Sequence, residues 1–317
     1  MRGHRRAPGD GELMRLDVHQ HIWTAPLLES LSARRTPPLV RRSNGLIVLH
    51  SAGEQPYVID ADAEAVQRRA DLVHEDGLDL ALIAISSPIG IEALSRESAQ
   101  ELIDAHLRGV AALPGEFAAW GAIALDGADA SDVDDLLARG CVGVSIPAGA
   151  LAGPDRLHRV GAILERLALR AVPLFVHPGT APGQHRPEAA FGEPLWWSAL
   201  TEYVAQMQAA WLTFASFGRR EHPDLHVIFA MLAGGAPLLS ERLHARGGPP
   251  IDLHDPRVFY DTSSYGPAAI EMIAAHVGRN QLLYGSDRPL AEPQPGALHA
   301  SLQTQGASLF ASRAVAA

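Results

Sequence analysis

Two histidines separated by one residue, His19 and His21, stand in the apolar segment Leu16–Ile22 near the start of the chain. In a β-strand every second side chain points to the same face, so the two imidazoles would face the same way. Two imidazoles on one face can share a single divalent metal ion. The pattern alone does not establish a metal site, because many histidines in protein cores only form hydrogen bonds.

Two further potential ligands lie at the ends of later apolar segments. His177 ends the segment Val172–His177, and Asp287 follows the last apolar segment, within the sequence GSDRP. Each has a simpler explanation by itself: a hydrogen-bonded core histidine for His177, and a helix cap or an ion pair with Arg288 for Asp287. A buried carboxylate is, however, costly unless it is paired or bound to metal. Taken together, three neutral imidazoles and one carboxylate form a suitable donor set for a borderline divalent ion such as Zn²⁺.

Short apolar segments that recur along the chain would position these residues. They are rich in Val, Ile, Leu and Ala without strict alternation, which is typical of strands buried on both faces. Helical patterns separate most of them, and this alternation indicates a parallel sheet. We therefore predict an α/β fold, a (β/α)8 TIM barrel with an insertion after strand one. The predicted strands are Leu16–Ile22, Asp79–Ile85, Phe117–Leu125, Cys141–Ile146, Val172–His177, Leu225–Met231, Val258–Thr262 and Gln281–Tyr284.

Helices are predicted at Ala63–His74, Ser131–Arg139 and Trp196–Phe217, with Ser131 capping the second and Gly218 ending the third. The third helix carries Trp196 and Trp197, which are candidates for a pocket wall or for the interface of a homodimer. Ordinary helix packing is the simpler expectation for both indoles.

Two irregular stretches, 24–60 and 178–195, follow predicted strands one and five. Within the first, Leu46–Leu49 and Tyr57–Ile59 are candidates for a small hairpin. Loops that follow the strands lie on the catalytic face of a barrel, so both stretches are candidates for the walls of a substrate pocket. Solvated connecting loops are the alternative.

Composition excludes several classes of function. The chain has 317 residues, which suits one barrel domain over 14–317, preceded by an N-terminal extension over 1–13 that we expect to be disordered. The formal net charge of -10 argues against a nucleic-acid partner. No apolar run approaches the roughly 20 residues that cross a bilayer, so we expect no membrane association and a cytoplasmic location.

Two residue types narrow the chemistry further. All 26 basic residues are arginine, which excludes a lysine Schiff base and a two-metal site bridged by a carboxylated lysine. The single cysteine, Cys141, excludes an internal disulfide and any CxxC metal site, and it falls in a predicted buried strand.

The motifs resemble those of the amidohydrolase superfamily, in the branch that contains aminocarboxymuconate-semialdehyde decarboxylase and related hydrolases. DxHxH on strand one, a histidine ending strand five and GSDxP on strand eight occur in the family's order, over about residues 15–290. The start HQHIW, which ends at Trp23, is similar to that of the family's lactonases. The resemblance implies a barrel with one divalent metal ion, often zinc, whose ligands are His19, His21, His177 and Asp287.

One position departs from the family. Strand six usually ends in a histidine within a pattern like AHxGG…P, but here the segment reads FAMLAGGAP and Met231 stands at that position. A thioether can neither position nor deprotonate water well. His226 lies five residues earlier, at the wrong end of the strand, and the loop residue His185 is the remaining candidate. Trp23, His185, Met231, Asp261 and Arg288 are therefore the tentative pocket residues, with a structural hydrogen-bonding role as the alternative for Asp261.

Three functions remain open, each with a small-molecule partner. The first is hydrolysis of a small ester, lactone or amide by metal-activated water, with Asp287 as the base. The second is non-oxidative decarboxylation of a small carboxylic acid, in which the metal and an arginine hold the carboxylate. Decarboxylation needs no hydrolytic water, although it needs a proton donor. The third is a barrel that binds a ligand without turnover, and Met231 is its main support.

Overall fold

The computed structural model describes residues 13–185, 188–190, 192–293 and 297–314. All of the predicted N-terminal extension except Leu13 lies outside these residues. The strands in this part of the chain are β1 Leu16–Gln20, β2 Leu39–Ser43, β3 Leu46–His50, β4 Tyr57–Ile59, β5 Leu80–Ile83, β6 Phe117–Ala119, β7 Gly121–Ala122, β8 Val144–Pro147, β9 Leu174–His177, β10 Val227–Phe229, β11 Val258–Asp261 and β12 Leu282–Leu283.

The α-helices follow most of these strands. Within the same described ranges they are α1 Ala25–Ala33, α2 Val66–Glu75, α3 Arg96–Ala111, α4 Ala130–Ala138, α5 Pro154–Arg159, α6 Gly161–Leu169, α7 Trp197–Leu200, α8 Glu202–Thr213, α9 Arg219–Glu221, α10 Ser240–Ala245, α11 Pro267–Val277, α12 Ala297–Leu302 and α13 Ala307–Ala314. None of these helices is both long enough and apolar enough to cross a bilayer.

All the strands except β2, β3 and β4 pair in parallel around a barrel. β1 pairs with β5 and β5 with β6, while β7 to β12 pair in chain order. Trp120 separates β6 from β7, and its amide donates to the Ile83 carbonyl at 2.9 Å, so the two short strands act as one. After β12, a bond of 2.9 Å from the Val18 amide to the Tyr284 carbonyl and a parallel bridge between Gln20 and Arg288 join the chain back to β1. The predicted fold class is confirmed.

Apolar side chains fill the barrel interior. Every residue of β5, β8, β9 and β10 is buried, as expected for strands covered on both faces. Trp120 stacks on Phe175 with ring centroids 5.1 Å apart, and its indole Nε1 donates to the Val18 carbonyl at 2.9 Å. This layer closes the barrel directly beneath the ends of β1 and β9.

The insertion after strand one is a three-stranded antiparallel sheet. The predicted hairpin forms from β3 and β4, and β2 adds a strand that sequence reasoning missed. The outer half of β2 consists of exposed polar residues, so it lacks an apolar pattern. The insertion contacts the other irregular stretch, where Gln55 Nε2 donates to the Ala190 carbonyl at 3.0 Å, and it contacts α8, where the Tyr203 hydroxyl donates to Glu54.

Two predicted helices differ in detail. Asp129, not Ser131, caps α4: its carboxylate accepts from the Ser131 amide at 2.7 Å, and Asp132 accepts from the Asp129 amide in return. The predicted helix Trp196–Phe217 is broken at Thr201 and continues as a π-helical turn over Phe214–Gly218 into α9. Gly218 has helical backbone angles there, so it does not end the helix as expected.

Candidate metal centre

β1 carries the first histidine of the HxH motif, His19, and the second, His21, directly follows the strand. His19 and His21 are both buried, and their Nε2 atoms lie 3.1 Å apart. The His177 ring, at the end of β9, has its centroid 4.9 Å from that of His19 and 5.1 Å from that of His21. The structure thus brings the three predicted imidazoles together.

The other nitrogen of each ring faces an acceptor. His19 Nδ1 lies 2.7 Å from a carboxylate oxygen of Asp261, and His21 Nδ1 lies 2.9 Å from the Ala84 carbonyl. His177 Nδ1 lies 2.9 Å from the Pro178 carbonyl. Because these oxygens only accept, each Nδ1 carries the proton, and each neutral ring presents a lone pair on Nε2.

Asp287 completes the cluster from the loop after β12. Its amide donates to the His19 carbonyl at 2.8 Å, which places the residue beside β1, and its φ of 62° is in the left-handed region. Asp287 Oδ1 lies 3.4 Å from His19 Nε2 and 3.2 Å from His21 Nε2. Gly285, two residues earlier, allows this close approach, since a Cβ there would lie 3.0 Å from His19 Cβ and Asp261 Cγ and would push them aside.

The donor set fits a metal ion. The four ligand atoms of His19, His21, His177 and Asp287 lie within 4.8 Å of one another. Asp287 Oδ1 is buried and has no hydrogen-bond donor, and imidazoles in their neutral form offer it only lone pairs. Four converging lone pairs without a proton between them are unfavourable unless a cation lies among them. A single divalent ion satisfies all four.

The electrostatics of the cluster show the same need for a cation, which a proton on His19 would meet in the absence of metal. Burial lowers the pKa of His19, but the carboxylates of Asp261 and Asp287 outweigh it and raise that pKa to about 9. Burial opposes ionisation of Asp287, yet the neighbouring imidazoles lower its pKa to about 2. Burial and the two other rings lower the pKa of His177 well below its ordinary value. The carboxylates that favour a proton on His19 would equally favour a metal cation in its place.

Asp261 supports the cluster from β11 and is fully buried. One oxygen binds His19, while the other accepts from the amides of Met231 and Ser263, each at 2.9 Å. Both oxygens are therefore occupied by the protein, which corresponds to the structural alternative rather than to contact with substrate.

Asp17, the first residue of the DxHxH motif, also supports the cluster. It accepts from the amides of His19 and Ser286, each at 3.0 Å, and from Gln20 Nε2 at 2.7 Å. It therefore joins β1 to the loop that carries Asp287, and its place in the motif was the signal that could have found it.

The end of β10 differs from the rest of the site. Met231, Leu232 and Ala233 have φ values of 45°, 51° and 54°, and Gly234 and Gly235 continue this left-handed turn. Met231 is almost fully buried. Its amide donates to Asp261, the same carboxylate whose other oxygen binds His19. The backbone of the strand-six position is thus tied to the cluster through Asp261, and the side chain at this position is an apolar thioether.

The remaining pocket candidates differ in burial and in bonding partners. Trp23 is buried, and its amide donates to Glu64. His185 is exposed. The Arg288 guanidinium is bound to Asp76 and Glu292.

The two tryptophans of the third predicted helix are exposed, Trp196 by 56% and Trp197 by 44%. Ordinary helix packing therefore does not describe them.

The barrel and this cluster define a class: metal-dependent α/β-barrel enzymes whose site lies at the carboxyl ends of the strands. The family model described as Amidohydrolase matches residues 16–305, and the chain belongs to that family. The resemblance found in the sequence motifs is confirmed, and a barrel without turnover is no longer supported. No curated protein matches the sequence.

Solved structures share the fold. An enzyme named IDCase from Metarhizium anisopliae is 19% identical with a TM-score of 0.68, covering 96% of this chain and 91% of its own. The 5-carboxyvanillate decarboxylase of Sphingomonas paucimobilis is 17% identical with a TM-score of 0.69, over 95% of this chain and 99% of its own. The 5-carboxyvanillate decarboxylase of Novosphingobium aromaticivorans, solved with manganese and 3-methoxy-4-hydroxy-5-nitrobenzoic acid, is 15% identical with a TM-score of 0.67, over 96% of both chains.

Proposed function

We propose that the protein is a non-oxidative, metal-dependent decarboxylase of a small aromatic carboxylic acid. The observation that carries the proposal is the apolar end of β10, where Met231 offers no base, beside a complete set of metal ligands. Decarboxylation consumes no water, so the missing base matters less than it does for hydrolysis. The similar barrels that are named decarboxylases support this choice over the hydrolase that the motifs first favour.

His19, His21, His177 and Asp287 would hold one divalent ion, which supplies Lewis-acid chemistry when bound. Three imidazoles and a carboxylate suit Zn²⁺, while a similar structure contains manganese. Met231 keeps the side of the site towards β10 apolar. A substrate carboxylate placed against it would lose hydration, which favours its conversion to neutral CO2.

Asp287 is the acid–base group in this proposal. The bond between the substrate carbon and its carboxylate breaks, CO2 leaves, and the electron pair that remains on carbon takes up a proton. Asp287 is the most exposed of the four ligands, with 16% of its side chain accessible. Its carboxyl group can take a proton from the substrate hydroxyl or from solvent and deliver it to that carbon. Arg288 is already paired with Asp76 and Glu292, so the arginine contact expected for the substrate has to come from elsewhere in the chain.

Hydrolysis of a small ester, lactone or amide is the second candidate. The exposed edge of Asp287 favours it, because a carboxylate there can accept a proton from water. The family description as amidohydrolase points the same way.

One experiment separates the two reactions. Protein loaded with Zn²⁺ or Mn²⁺ is incubated in D₂O with hydroxylated benzoates and, separately, with activated aryl esters and lactones. We expect CO2 release and one deuterium on the carbon that lost the carboxylate, and no such product from His177→Ala. Ester or lactone cleavage without any CO2 release from the acids would overturn the proposal in favour of hydrolysis.

A further inference from the structure

Ser264, on the loop after β11, contacts the metal-ligand cluster at its outer edge. Its hydroxyl donates to Asp287 Oδ2 at 3.2 Å, while Oδ1 of the same carboxylate faces the imidazoles of His19 and His21. The two oxygens of Asp287 thus have different partners. A carboxylate held by one oxygen cannot rotate freely, so the other oxygen keeps its direction towards the cluster.

The backbone of Ser264 is strained at this point. Its φ of 64° lies in the left-handed region, which side-chain-bearing residues other than Asn and Asp seldom adopt. The side chain is exposed, so burial does not compensate for this conformation. Glycine would adopt the same turn without strain, but it would lose the hydroxyl. Strain of this kind concentrates at functional sites, where another requirement fixes the residue.

We propose that Ser264 is a positioning residue that orients Asp287 for metal binding. The hydroxyl occupies Oδ2, which leaves Oδ1 as the ligand atom and favours coordination through a single oxygen. Hydrogen bonds to ligating carboxylates typically change metal affinity 10–100-fold, and this bond, at a partly exposed edge, belongs at the lower end of that range. The inference rests on the metal site of the proposed function and not on which reaction the site performs.

The test compares Ser264→Gly, Ser264→Ala and Ser264→Asn with Ala171→Gly. Ala171 is also exposed and has a φ of 50°, but it lies before β9 at the opposite end of the barrel. The measurements are Tm after chelator treatment and the Kd for Zn²⁺, obtained by competition with a chromogenic chelator.

We expect Ser264→Gly to melt at or above the wild-type temperature, as Ala171→Gly does, because both relieve left-handed strain. Its Kd for Zn²⁺ should nevertheless rise about 10-fold, while Ala171→Gly keeps the wild-type Kd. Ser264→Asn should recover most of the affinity, because asparagine tolerates this φ and its amide can donate to Oδ2.

A wild-type Kd in both Ser264→Gly and Ser264→Ala would overturn the assignment. So would a fall in Tm and affinity together in all three Ser264 variants, which would show a general role in folding. Failure of the decarboxylase assay would leave these binding measurements unaffected, so the two proposals fail separately.

Discussion

The two sides of the candidate metal centre are built on different principles. On the side of β1, β9, β11 and the loop after β12, the groups that support the ligands are matched atom by atom: each imidazole Nδ1 has its acceptor, and Asp17 and Asp261 use both of their oxygens. On the side of β10, the chain forms a left-handed turn that begins at Met231 and carries apolar residues. The first side fixes the ligands by hydrogen bonds, and the second supplies no polar side chain.

This difference indicates that the site is well built for metal binding and poorly built for proton abstraction from water. The groups that support the ligands, whose hydrogen bonds are satisfied, hold the ligand side chains rigidly, so a metal would meet preorganised ligands. The turn after β10 offers no proton acceptor, and hydrolysis would need one. Variants that alter one side of the site at a time test this difference.

The largest effect should come from the ligands themselves. His19→Ala removes one of four ligands and leaves the carboxylates of Asp261 and Asp287 without their shared partner, so bound metal should fall from about one ion per chain to near zero. Elemental analysis of protein purified without chelator measures this, with His185→Ala as the matched control on an exposed loop. Wild-type protein that stays metal-free after Zn²⁺ and Mn²⁺ are supplied would refute the mononuclear site.

Asp261→Asn should have a smaller effect, because it leaves all four ligands in place. The amide cannot accept from both His19 Nδ1 and the Met231 amide as the carboxylate does, so the ring would lose its fixed tautomer. We expect the Kd for Zn²⁺ to rise roughly 10–100-fold. Asp255→Asn removes the same charge from a carboxylate paired with Arg219, before β11 at the other end of the barrel, and should leave the Kd unchanged. Equal losses in both variants would mean that charge, and not position, matters.

Met231→His tests the other side. Histidine tolerates the left-handed backbone better than most residues, and its ring would supply the missing base. A well-placed base is worth roughly 10²–10⁴-fold, so even a poorly placed one should raise the hydrolysis of activated esters about 10-fold at matched metal content. Decarboxylation should fall, because a polar ring would replace an apolar wall. Met231→Leu is the control that keeps the wall apolar. If neither activity changes, residue 231 does not face the reacting centre.

Much of the fold follows from the sequence, because buried parallel strands produce continuous apolar runs. Each predicted barrel strand is present, although most are shorter than expected, and the structure brings together the four predicted ligand residues. The break at Thr201 was not predictable, since the apolar spacing of Trp196–Phe217 continues through it. The π-helical turn after α8 leaves no mark in that spacing either.

The sequence indicates the groups that support the ligands less clearly than it indicates the ligands themselves. The sequence showed that Met231 replaces a histidine but not that its backbone is left-handed, because no residue type there except the two following glycines indicates it. Ser264 had no signal at all. Its role depends on a φ angle and on one contact across two loops, and neither is encoded in local pattern.

The shared carboxylate of Asp261 has a consequence for the whole site. Because one oxygen holds His19 and the other holds the amide of Met231, the state of the metal ligands and the order of the turn after β10 are thermodynamically linked. Such coupling is reciprocal: if metal binding stabilises the turn, an ordered turn favours metal binding by the same free energy. Slower hydrogen exchange at the Met231 amide on metal addition, beyond the slowing at amides remote from the site, would reveal this coupling. The residue that cannot act as a base can therefore still tune how tightly the site holds its ion.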